Sequence, residues 1–203
     1  MSTTRLRIGT MVICNDFRPP VQFAKEIATL HVVSGGRIEL GLGAGFLNVE
    51  YEPLGIPFDP PGVRVLAIAA REAEIVGIQT VVTTSGDVVM EPGNLLAGTM
   101  RRKVDHIREA AGSRFDAIEL NTTISIELTG DRKAGARRLI AERGWHGLTV
   151  ADVLEMPALL IGTHNEMADQ IRQRRDRFGL SYLVVGERNV ESFAPLVTAL
   201  AGT

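Results

Sequence analysis

The stretch TRLRIGTMVICNDFRPPVQFAKEIATLHVVSGGRIELGLGAG, Thr4–Gly45, decides the fold, because it holds a whole strand–helix–strand unit. Arg5–Val12 reads as a short strand, rich in branched residues and stopped by the Asn15-Asp16 turn pair. Pro19-Pro20 stands where a helix begins, since the first turn leaves its amide donors unused and Pro has none. Val21, Ala24, Ile27, Ala28 and His31 recur at helical spacing along one face. Ser34-Gly35-Gly36 ends that helix, and Arg37–Leu42 is a second strand that runs into the glycines of GLGAG. Two strands joined by a helix in so short a span form a parallel pair with a right-handed crossover.

Outward from this unit, four more strand candidates follow: Glu74–Ile78, Phe115–Leu128, Ala158–Ile161 and Ser181–Val185. Helices separate them. Leu96, Met100, Val104, Ile107 and Ala111 keep an apolar stripe through Leu95–Ala111, which Gly112 ends. Asp131–Arg143 has an acidic start and a basic end, as the helix dipole prefers. Thr163-His164-Asn165-Glu166 matches a capping box, with His164 read as part of the cap, and the helix then runs through Met167, Ile171 and Arg174 to Gly179. Glu52–Val63, with four prolines, admits neither regular helix nor interior strand and reads as a loop over the strand ends. Thr80–Asn94 reads as irregular and suited to a lid. With no shift in composition, one domain over residues 1–203 is the expectation.

Composition is that of an ordinary globular domain, 45% hydrophobic and 23% charged. Its net charge of −2 gives no electrostatic reason to expect nucleic acid. The sequence shows no run of membrane-spanning length and no apolar leader, so the cytoplasm is the expected compartment. Cys14 is the sole cysteine, which excludes an internal disulfide; it reads as a small apolar filler. One cysteine and four scattered histidines offer no metal-ligand spacing. The cluster Arg172–Arg177 reads as a solvated helix face.

Several segments carry a family resemblance: IGTMV, RPPVQFAKEIATL, SGGRIELGLGAG and EYEPLGIPF, then LAIAAREAEIVGI, FDAIELNTTISIEL and LLIGTHNEMADQIRQRRDRFGLSYLVV. They resemble, in order, the luciferase-like monooxygenase family, and within it the branch that uses the deazaflavin coenzyme F-420. The resemblance implies an α/β fold of TIM type, a (β/α) barrel. Such barrels typically take roughly 250 residues. With 203 residues and six strand candidates, this chain reads as a shortened barrel of that family. Two family segments have no counterpart: the strands before Thr4, and a helix and strand between Val65 and Leu66. Open strand edges invite a second chain, and the family often pairs, so a homodimer is expected.

The site follows from the same resemblance. Thr10, Met11 and Val12 occupy the position of a bulge against the deazaflavin ring, where the family's Met11–Val12 peptide is usually cis. Gly43, Ala44 and Gly45 line the cofactor pocket, with Phe46 as an apolar wall and Glu50 on a position often acidic. From the residues alone, GLGAG fits neither a Rossmann fingerprint nor a Walker loop, and its glycines could equally turn the chain. The function implied is hydride transfer between coenzyme F-420, with FMN as the alternative, and a small organic substrate. The competing reading is a non-catalytic flavin-binding module or degenerate paralogue.

Overall fold

A computed structural model describes residues 5–43, 45, 48–58, 75–78, 82–84, 87–89 and 92–201. The fold is α/β with parallel strand pairing. The chain divides into two compact units, one built mainly from residues up to Ala73 and the other mainly from Glu74 onward.

In the first unit, Ile8–Gly9 (β1) and Ile13–Cys14 (β2) frame a break, and Pro20–Ser34 (α1) follows. Ile38–Glu39 (β3) pairs in parallel with β1, and Leu42–Gly43 (β4) with β2. Each of the two expected strands is thus two short strands, and the Met11–Val12 peptide between β1 and β2 is cis. Pro20 opens α1, and Gly35, at φ 69°, closes it with amide bonds back to the last turn. The expected apolar face of α1 is corrected: Val21 is 73% exposed and Ala24 and Ala28 are exposed, while Phe23 is buried. The largest apolar side chain on the helix has taken the inward position, where burial removes the most surface from water. Asn48–Tyr51 (α2) leads into a 3₁₀ turn at Glu52–Leu54, closed by Gly55 at φ 64°.

In the second unit the central strand is Glu119–Leu128 (β8). Ile75–Gly77 (β5) and Leu180–Val185 (β10) pair with its first half, and Leu159–Gly162 (β9) with its second, all in parallel. Leu120, Asn121 and Thr122 are buried in succession, as expected of a parallel strand covered on both faces. The strand starts later than Phe115, since Gly112–Ala117 forms a 3₁₀ turn. Two further strands, Val82–Thr84 (β6) and Asp87–Val89 (β7), pair with each other inside the stretch expected to be irregular. Residues 59–63 of the expected proline-rich loop and Glu74 of the expected strand lie outside the described residues.

The helices match their signals. Ala97–Ala111 (α3) buries Met100, Val104 and Ile107 against Ile78, Leu120 and Leu180. Arg132–Glu142 (α4) is capped by Asp131, whose carboxylate accepts from the Ala134 amide at 2.9 Å. Val150–Leu154 (α5) carries a capping box between Thr149 and Asp152 that the sequence reading missed. His164–Phe178 (α6) has the expected box between Thr163 and Glu166 and stops at Gly179. His164 is no part of that cap: its Nε2 lies 2.9 Å from the Ser192 carbonyl, on Val190–Leu200 (α7).

Candidate functional site

The interruption between β1 and β2 is where the expected site residues meet. Thr10 Oγ1 donates to the Gly41 carbonyl at 3.0 Å and accepts from the Gly41 amide at 3.1 Å. The Ile13 amide donates to the same carbonyl at 2.9 Å, so both ends of the break are tied to Gly41. Between these ties Met11 and Val12 stand out, 55% and 46% exposed. They form an apolar ledge where β1 ends and β2 begins.

The glycines of GLGAG explain how the ledge lies so close. A Cβ on Gly41 would fall 2.0 Å from the Thr10 carbonyl oxygen, and one on Gly43 would fall 2.3 Å from Val12 Cγ2. Gly45, at φ 65°, admits a left-handed turn, and a Cβ there would sit 1.8 Å from the Tyr51 hydroxyl. Each glycine is therefore required by a neighbour within the chain. Of the expected cofactor residues, Thr10, Met11, Val12 and Gly43 come together, and Gly45 packs on Tyr51. Glu50 is exposed on α2, and Ala44 and Phe46 lie outside the described residues.

Tyr51 is what the sequence reading passed over. Its side chain is fully buried, edge-on to Phe17 at 5.0 Å and to Phe58 at 4.8 Å. Its hydroxyl donates to Asp16 Oδ2 at 2.8 Å, which leaves the Cys14 thiol, at 3.2 Å, to donate to the phenol oxygen. Burial first, then the hydrogen bonds to Cys14 and Asp16, push the phenol well above its ordinary range. It stays protonated at neutral pH, so its role is to hold β2, the turn after it and Gly45 in register. Cys14 is accordingly half-buried and hydrogen-bonded rather than an inert filler. The signal available was an aromatic spacing, Phe17, Tyr51 and Phe58, around a lone Asp.

Arg174 is the second correction. The cluster Arg172–Arg177 is partly a solvated face, with Arg172 paired to Asp169 and Arg177 to Glu155. Arg174 is instead only 7% exposed and donates from Nη2 to the carbonyls of Met156 and Leu159. Its place in the stripe with Met167 and Ile171 was the clue. No cluster of three or more metal-ligating side chains occurs among the described residues, and none of their helices is long and apolar enough to cross a membrane.

Residues 1–66 match a family model described as luciferase-like monooxygenase. Over 63 residues the chain is 38% identical to an uncharacterized protein of Mycobacterium tuberculosis, a match covering 31% of this chain and 22% of that protein. The match thus spans about a fifth of the length of these curated relatives. Two solved structures resemble the fold over nearly the whole chain. One is an F-420-dependent secondary alcohol dehydrogenase bound to an F-420–acetone adduct, with TM-score 0.53, 15% identity, and coverage of 91% of this chain and 74% of that one. The other is the monooxygenase RslO1 of Streptomyces bottropensis, with TM-score 0.51, 18% identity, and coverage of 90% and 71%.

Proposed function

We propose that this chain, whose first 66 residues match the luciferase-like monooxygenase family model, is an oxidoreductase that seats a deazaflavin ring on the Met11–Val12 ledge. The observation that carries the reading is the ledge itself: two exposed apolar side chains held forward by Gly41 and Gly43. A flat, largely apolar ring system fits such a surface by dispersion and by removing it from water. Coenzyme F-420 is the preferred occupant, with FMN the alternative. When bound, the deazaflavin would supply hydride exchange with a small organic substrate, and the chain's share is binding and orientation.

That share can be assigned to residues. Met11 and Val12 would hold the ring. Thr10 and Gly41 fix the height of the ledge through their reciprocal hydrogen bonds. Tyr51, clamped by Asp16 and Cys14, holds the Gly45 turn in place. A cytoplasmic homodimer completes the proposal, and light scattering during size-exclusion chromatography tests the second copy.

The deciding experiment is a fluorescence titration with coenzyme F-420 beside FMN. Saturable binding of F-420 is expected, weakened at least tenfold in Met11→Asp, whose exposed position leaves folding intact. Absence of binding to either cofactor by a cooperatively folded chain overturns the proposal. Binding without turnover of any hydride acceptor would identify a flavin-binding module instead.

A further inference from the structure

The second unit contains an arginine whose chemistry is incomplete. Arg174 uses Nη2 for the carbonyls of Met156 and Leu159, while its Nη1 is buried and meets no acceptor. Arg132, in the first turn of α4, has a buried Nε in the same condition. Buried donors are nearly always paired, so two unpaired guanidinium atoms call for a cause. Two of the acidic groups around them are otherwise engaged, and a third, Asp176, lines the same cleft as the two arginines. Glu155 pairs with Arg177 at 2.7 Å, and Glu166 accepts from the Thr163 amide and hydroxyl in the cap of α6. Asp176 is exposed.

Both arginines line one cleft of about 400 Å³, whose wall also includes Leu154, Gln170, Gln173 and Phe178. Burial, and next the positive charge of Arg132, pull Arg174 down to about 10, still protonated at neutral pH. Two like charges facing one cleft, each with a donor to spare, form a receptor for negative charge. We propose that this cleft binds a small organic anion, its phosphate or carboxylate oxygens accepting from Arg174 Nη1 and Arg132 Nε. Leu154 and Phe178 supply apolar surface for the ligand's body, and Gln173 a further polar group. The rim side chains that part to admit it are the solvent-exposed Glu155 and Arg177. The site shares no residue with the Met11–Val12 ledge.

The test is a titration of the full chain with phenyl phosphate, inorganic phosphate and, at matched ionic strength, chloride. Calorimetry is read beside the arginine Nε–Hε resonances. Phenyl phosphate is expected to bind saturably and to move the Arg132 Nε–Hε signal, with Arg132→Gln weakening it at least tenfold while the unfolding midpoint holds. Equal affinity for inorganic phosphate would place the binding in the oxyanion alone; tighter phenyl phosphate would place it in the organic body as well. Stationary arginine signals in the wild-type chain overturn the proposal, as does a response that chloride reproduces. Unchanged affinity in folded Arg132→Gln does so too.

Discussion

Gly45→Ala and Gly55→Ala together isolate the hold that Tyr51 has on the candidate site. Both glycines adopt left-handed backbone, at φ 65° and 64°. A Cβ at Gly55 would meet nothing within 4 Å, so Gly55→Ala should cost only the conformational penalty, about 1 kcal/mol. At Gly45 the same methyl would fall 1.8, 2.6 and 2.7 Å from three atoms of the Tyr51 phenol. That ring is fully buried between Phe17 and Phe58 and hydrogen-bonded to Asp16 and Cys14, so it has no easy direction in which to yield. Overpacking of this kind adds roughly 1–3 kcal/mol. For a chain of this size the difference corresponds to a melting temperature roughly 2–12 °C lower in Gly45→Ala than in Gly55→Ala. Calorimetric melts of the two variants measure it. A second readout is Cys14, whose thiol should react faster with a thiol reagent once Tyr51 is pushed away. Equal losses in both variants, with Cys14 labelled at the wild-type rate, would refute the rigid clamp.

Other substitutions probe the remaining parts. Tyr51→Phe should destabilise by about 1–3 kcal/mol in urea unfolding, since Asp16 loses its phenol donor and Cys14 its partner. Because folding raises the Tyr51 pKa, the wild type should keep this contribution below about pH 10 and lose it as pH rises further. The Tyr51→Phe midpoint should fall less over that alkaline range. Arg174→Met should cost about 2–4 kcal/mol, because the Met156 and Leu159 carbonyls lose a charged donor, and denaturant unfolding would show it. Thr149→Ala and Thr163→Ala should each cost about 1 kcal/mol in melting experiments, as N-caps do. Asp152 and Glu166 are held below the usual carboxylate range by those caps, so wild-type stability should drop as pH falls through that range. The threonine variants should show a shallower acid loss.

What the sequence made legible was periodicity and punctuation. The α3 stripe, the Asp131 cap, the Thr163 box and the Gly35 and Gly179 stops were all local signals, and each element formed where its signal stood. Tertiary competition decided the rest. Which face of α1 turns inward depended on Phe23 finding a neighbour, and a helical stripe of small residues could not reveal that. Arg174 was assigned to water by its charged neighbours, although its own position lay on the buried stripe of Met167 and Ile171. A carbonyl pair in need of a donor, at Met156 and Leu159, becomes visible only once β9 has been placed.

The same competition changes how GLGAG should be read. Gly41 and Gly43 are two apart, and in extended chain alternate residues share a face. That face therefore has no Cβ, and the Thr10–Val12 segment lies against it at distances no side chain would tolerate. Glycines that cradle a phosphate leave their bare face to the ligand. Here the chain itself occupies it, so a ligand at this site meets Met11 and Val12, the exposed residues that the glycines push forward. The consequence separates the two roles. Adding a methyl at Gly43 should first disturb Val12, 2.3 Å away, and weaken cofactor binding only through the displaced ledge. Shortening Val12 to Ala in the same chain removes Cγ2, the atom in the way, and should restore much of the stability lost to Gly43→Ala, though not the ring contact that Val12 itself would make. A phosphate-cradling glycine would show no such rescue.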